Sequence, residues 1–445
     1  MMTEDKLRFI FDWEPALEVR APELQATWSR LEIWVGDECV TQVEDIDSRS
    51  VRHSIYVPLY PLAEWIAYNW WFLKAHSRPA SLGRDLWSFD SPQRPRAGLG
   101  WVLEHHNFRA AGDGFLWPNL TIVPEGRYAR LVWSPDDSAA PERPVKYIRR
   151  GEAWVESALL ELSLARFVDD VSTRLTEQGI TETSLQKEWS ELRRTDAEEA
   201  AFCIASARLG LDPYSDAVEI QDSIERAAVA LPESLVDDFF DAVSPQKMTS
   251  GIEWVTNATH RIRDYTPDRT SGAGLRAVVG QPAEVSHARP WDIGWTQARN
   301  VRDRLGLDDQ ERFEVGELLS VVPSDSHDLG LQAIGGASRR NASVLVLGRP
   351  MISQTQRFAE ARALWHFLFD QRPVTFLITP AHTDRQRVER AFAAELLAPA
   401  AGILHRLDLG EIGFALDDIE AIAEHFEVSS MVIRHQIENQ ILAGS

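Results

Sequence analysis

Residues 357–399 read RFAEARALWHFLFDQRPVTFLITPAHTDRQRVERAFAAELLAP. Two features of this stretch decide how the C-terminal third is read. Arg362 and His366 stand four residues apart, so on a helix they leave the same face one turn from each other. Further on, Thr383-Asp384-Arg385-Gln386 has the T-x-x-Q form of a capping box. Behind it Val388, Phe392 and Leu396 form an apolar stripe at helical spacing.

The pattern resembles the paired core helices of the ImmA/IrrE metallopeptidase family. In that family the first helix carries a motif like RFxxAHExxH and the second one like ExxANxFAxxLLxP. Arg357, Phe358, Ala361 and His366 match the first; Phe392, Ala393, Leu396, Leu397 and Pro399 match the second. The packing residues are kept and the chemical ones are not. Arg362 stands at the first metal-binding His, Ala363 at the general-base Glu, and Gln386 at the third ligand. A zincin needs two imidazoles one turn apart and a Glu that takes a proton from zinc-bound water. Arginine offers no lone pair and keeps its charge, alanine has no acid–base group, and glutamine offers a neutral amide oxygen.

The resemblance covers about a third of the chain. It implies a degenerate peptidase domain in which Arg362, Ala363, His366, Gln386 and Glu389 line a vestigial pocket, with no catalytic residue, metal or cofactor. Arg362 is expected inside the vacated cavity, paired with Glu389 or Glu395. His366 reads as a buried histidine bonded to a nearby acid or carbonyl. Its rival role is as a relocated zinc ligand with His382, Asp384 or Glu389. Because family members act with repressors, toxin–antitoxin pairs and stress responses, the resemblance implies a binding, sensing or scaffold role in a bacterial regulatory or defence-type system. The alternatives are an active metallopeptidase with rearranged ligands, and a transcription regulator.

The rest of the sequence bounds these readings. The 445 residues suffice for two or three domains. A net charge of −22 opposes direct nucleic-acid binding and leaves another protein or peptide as the expected partner. No apolar run approaches membrane-span length, and Cys39 and Cys203 fit no metal or disulfide spacing, so a cytoplasmic protein with two small buried cysteines is expected. The C-terminal IEAIAEHFEVSSMVIRHQIENQ has a helix–turn–helix outline. Its acids outnumber Arg434, which does not suit a recognition helix.

The fold expected is α+β multidomain: an N-terminal sheet-plus-helix domain over 1–180, a helical connector over 181–265, a linker over 266–287, and a mainly helical zincin-like domain with a small sheet over 288–445. Loop tracts are read at 77–97, 134–144 and 265–290 from their Pro, Gly, Ser and charge content. Leu31–Val40 is expected as a strand pair or a strand with a turn at Gly36-Asp37, and further strands at Arg52–Val57, Phe115–Val123, Ala129–Trp133 and Val145–Arg149. One continuous helix is expected at Leu59–Leu73. Eleven of the sixteen tryptophans lie at or before Trp154, either as core or as a recognition surface, with one of Trp70 and Trp71 expected to be exposed or in an interdomain contact. His105-His106 reads as a strand-edge or loop pair.

Overall fold

In the computed structural model, the described residues are 6–16, 19–78, 99–136, 144–216, 220–266, 289–316, 318–323, 329–370, 375–407 and 416–442. The chain is α+β and divides into two compact units, Met1–Glu219 and Ile220–Ser445. The connector expected at 181–265 is therefore shared out rather than separate. Helices Ser184–Arg194 and Ala197–Arg208 belong to the first unit, and Gln221–Ala230, Glu233–Ala242 and Met248–Asp264 to the second. The expected linker, from residue 267 on, lies outside the described residues, as do most of the tracts at 77–97 and 134–144.

The first unit is built on antiparallel sheets. Strand Trp28–Val35 pairs with Leu7–Trp13, Glu38–Cys39 and Ile55–Pro58. Gly36, at φ 58°, makes the tight turn expected there. A second sheet holds Asn119–Glu125, Tyr128–Ser134 and Gly151–Glu156. A third joins Val43–Asp45 to Val51–Arg52 and Val145–Tyr147. Strands Leu7–Trp13 and Gly151–Glu156 were not legible beforehand. The helix Ser157–Glu177 buries Leu160, Leu164, Phe167, Val168 and Val171 in the core.

The helix expected at Leu59–Leu73 is two helices, Tyr60–Tyr68 and Trp70–Ala75, broken at Asn69. The Asn69 side chain donates to Trp65 O at 2.8 Å, competing with the helical ladder. The break shifts the helical phase. Trp71 is buried, and Trp70 packs edge-on against Trp189 with ring centres 5.1 Å apart. Neither indole is exposed, and no described tryptophan up to Trp154 is exposed. The aromatic surplus fills and flanks the core. Cys39 and Cys203 are both buried and free, as expected.

The second unit holds a four-stranded sheet in the order Ser320–Val322, Ser343–Leu347, Ala333–Ala337, Thr375–Ile378. The first pair is parallel and the others antiparallel. Helices Pro290–Leu305, Ser353–Phe369 and Asp384–Leu397 pack with it around Ala363, Leu364, Phe392, Leu396 and Leu397. Gly294 lets two of them touch: a Cβ there would lie 2.3 Å from Val388 O. Among the described residues no helix is long and apolar enough to cross a membrane.

Candidate functional site

Helix Ser353–Phe369 carries Arg362 and His366 on one face, as their spacing requires. Helix Asp384–Leu397 faces it with Gln386 and Glu389, one turn apart. Strand Thr375–Ile378 ends beside them, so the Leu377 and Thr379 peptide groups point into the same space.

At the centre is Glu389, with no exposed surface. Its Oε1 accepts from Arg362 Nε at 2.8 Å and again from Arg362 Nη2. Its Oε2 meets His366 Nε2 in a short contact. Arg362 is 3% exposed and spends its remaining donors on Gln332 Oε1 at 2.8 Å, Thr379 O at 2.7 Å and Gln386 Oε1 at 2.6 Å. Every nitrogen of its guanidinium is therefore engaged. Burial works to raise the Glu389 pKa, but the Arg362 guanidinium and His366 beside it hold it below the usual carboxylate range.

His366 is closed in on every side. Its ring stacks on Phe376 at 4.0 Å with 11° between planes. Its Nδ1 lies 3.2 Å from Asp370 Oδ2. A carboxylate therefore faces each ring nitrogen.

Gln386 does not close the capping box its sequence suggests. Thr383 Oγ1 does accept from Gln386 N at 3.4 Å. The carboxamide turns inward instead. Its Oε1 accepts from Thr379 N at 3.0 Å, and its Nε2 donates to Leu377 O at 2.7 Å. It thus bonds the outer edge of strand Thr375–Ile378 as a neighbouring strand would. The same Nε2 donates to Asp238 Oδ2 at 3.0 Å, and Thr383 Oγ1 donates to Asp238 Oδ1 at 2.6 Å. Burial raises the Asp238 pKa, against the opposing pull of Arg385, Thr383 and Gln386.

The sequence analysis named Arg362, Ala363, His366, Gln386 and Glu389, and the fold brings four of them into one hydrogen-bonded cluster. Ala363 is buried in the apolar core. Glu395, the other partner considered for Arg362, is elsewhere: it accepts from Arg299 Nε at 2.7 Å and from Gln436 and Gln440. Those two glutamines lie on the second helix of the helix–turn–helix outline and its continuation, and they face inward. Asp238, Gln332 and Thr379 were missed. They come from other elements, and no local pattern marks them.

This donor set does not fit a divalent metal. The position one turn before His366 holds a cation, His366 Nε2 is turned to Glu389, and Gln386 Oε1 already accepts two bonds. Among the described residues no three His, Cys, Asp or Glu side chains gather in a metal-binding arrangement. The cluster also leaves no access, since Arg362, His366, Gln386 and Glu389 are all buried.

His105 and His106 correct another expectation. They end helix Leu99–His106 rather than lying on a strand edge or loop. His106 is fully buried and bonded to His76.

A scan against protein-family models finds no match to this chain, and a search of curated proteins finds none either.

Proposed function

We propose that the unit Ile220–Ser445 is a catalytically degenerate ImmA/IrrE-like pseudopeptidase. In this reading the protein is a cytoplasmic binding, sensing or scaffold component of a bacterial regulatory or defence-type system. One observation supports it above the others: the Arg362 guanidinium sits where the resemblance puts a metal-binding His, and is saturated by Glu389, Gln332, Thr379 and Gln386. A guanidinium so held can neither bind a metal nor act as a base. Its role is to tie two helices to the sheet edge. The buried cluster favours a partner protein engaged through the outer surface over a ligand held in the old pocket.

The test is to isolate the full chain from its native cells and measure zinc, peptide hydrolysis and the stoichiometry of co-purifying polypeptides. The expected result is no stoichiometric zinc, no hydrolysis and a stoichiometric protein partner. About one zinc per chain, lost on His366→Ala, would overturn the reading in favour of a metallopeptidase with rearranged ligands.

A further inference from the structure

The first unit contains a buried histidine pair that takes no part in the cluster above. His76 is 2% exposed and His106 0%. His76 Nδ1 lies 2.8 Å from His106 Nε2, and His106 Nδ1 lies 2.8 Å from Ile122 O. The proton positions follow from the partners. A carbonyl only accepts, so His106 Nδ1 carries hydrogen. In the neutral ring His106 Nε2 is then bare and accepts, so His76 Nδ1 carries hydrogen and donates. A single line of donation runs from His76 through His106 to Ile122.

This line ties together elements far apart in sequence. His76 ends helix Trp70–Ala75, His106 ends helix Leu99–His106, and Ile122 lies on strand Asn119–Glu125. The Nε2 edge of His76 faces Gly210, where a Cβ would lie 3.2 Å from Nε2. Gly210, at φ 76°, ends helix Ala197–Arg208. Arg78 adds a bond from Nε to Arg208 O at 2.8 Å.

Among the described residues, the charged and titratable neighbours give the pair no counter-ion. His76 faces His106, His105 and Arg78, all cationic or potentially so. Glu104, Asp212 and Asp216 act on His105, which lies outside the pair and is bonded through Nδ1 to Asn69 Oδ1 at 2.5 Å. Around the rings lie Phe72 and Trp101. One added proton can go to His76 Nε2 and leave the bond intact. A second must go to His106 Nε2, which sets two N–H groups against each other and breaks it.

We propose that the His76–His106 pair is an acid-sensitive latch: neutral, it holds the end of helix Leu99–His106 to helix Trp70–Ala75, and doubly protonated, it releases that helix while the sheets of the unit stay folded. The direction of titration agrees. Burial lowers both groups, with His106 pushed down to about 4. Depressed histidines add stability that is full above their usual value near 6.5 and is lost as pH falls through the folded value.

Hydrogen exchange on the full chain tests this, with rates corrected for intrinsic pH dependence. Between about pH 7 and pH 4.5, protection over residues 99–107 should fall by about tenfold or more. Protection of strands Trp28–Val35 and Tyr128–Ser134 should hold. His76→Gln keeps a neutral donor to His106, and its carboxamide can turn to accept once His106 Nε2 is protonated, so it should retain protection at neutral pH and lose most of the acid response. Should that variant not fold, exchange at the histidine C2 carbons of the native chain decides, and both rings must titrate below about 6. Ordinary titration of both rings, equal protection of 99–107 at the two pH values, or simultaneous loss across the whole unit would each overturn the latch.

Discussion

Arg362 and Glu389 form a buried ion pair across two helices, with Nε donating to Oε1 at 2.8 Å. Both groups have left water almost completely, so each depends on the other. Arg362→Ala leaves a carboxylate buried without its cation. The expected loss is roughly 3–5 kcal/mol in the unfolding free energy of the second unit, read by urea titration with a probe in that unit. A change within about 0.5 kcal/mol is what a surface arginine gives, and would contradict the pairing.

Glu389 and Asp238 flank Gln386 and should respond to pH with opposite signs. The Glu389 pKa is lowered in the fold, so its contribution is full above the usual 4.5 and fades as pH falls through the folded value. The cost of Glu389→Gln should therefore be larger at neutral pH than below about pH 4. The Asp238 pKa is raised, so its buried charge penalises the fold increasingly as pH climbs above the usual 3.8. Asp238→Asn removes that penalty and should cost less at neutral pH than in acid. Urea midpoints of both variants and the native chain at the two pH values check the pair of slopes; parallel slopes would refute it.

How much of this could be read in advance depended on range. The i, i+4 relation of Arg362 and His366 is local, and it placed both side chains in one cluster. Gln386 shows the limit of local reading. Thr383 and Gln386 fit a capping box, and the helix does begin at Asp384 with Thr383 as its N-cap. The carboxamide nevertheless went to Leu377, Thr379 and Asp238, because a buried strand edge needs donors and acceptors more than a half-buried helix end does. Asp238 is 148 residues away from Gln386, and nothing near it in sequence points to that bond. Likewise Leu59–Leu73 has an unbroken apolar stripe, and only the Asn69 side-chain bond to Trp65 O reveals the break.

Gly294 sets how closely the Glu389 helix approaches its neighbour. An added Cβ would meet Val388 O at 2.3 Å and Phe392 N at 2.8 Å, both backbone atoms that cannot rotate away. Gly294→Ala should cost roughly 1–3 kcal/mol despite the better helix propensity of alanine. Thermal unfolding of the second unit reads it out. An unchanged or raised midpoint would show that the two helices separate without loss.

Introducing a zinc-peptidase motif, as the proposed reading invites, must contend with the neighbours the fold has placed there. Arg362→His, Ala363→Glu and Gln386→Glu together would write in the motif of the peptidases that the second unit is proposed to resemble. The new imidazole would stand one turn before His366, on the same face. The carboxylate at position 386 is harder to accommodate. Gln386 Nε2 now donates to Asp238 Oδ2 at 3.0 Å and to Leu377 O at 2.7 Å. A glutamate there would set oxygen against both acceptors and charge against charge. The triple variant should therefore bind zinc weakly, and adding Asp238→Asn should raise its affinity by at least about tenfold, the scale on which outer-shell partners act. Each single substitution should leave affinity near that of the native chain, because ligands that share one ion act together. Position 363 is closed within the apolar core, so the carboxylate placed there needs repacking before it can meet a metal-bound water. Peptide hydrolysis is accordingly not expected even where zinc is held. Calorimetric zinc titration of the native chain, the singles, the triple and the quadruple variant orders these cases. A folded quadruple variant that binds zinc no better than the native chain would mean that the two helices do not carry the metal-site register the resemblance assigns to them.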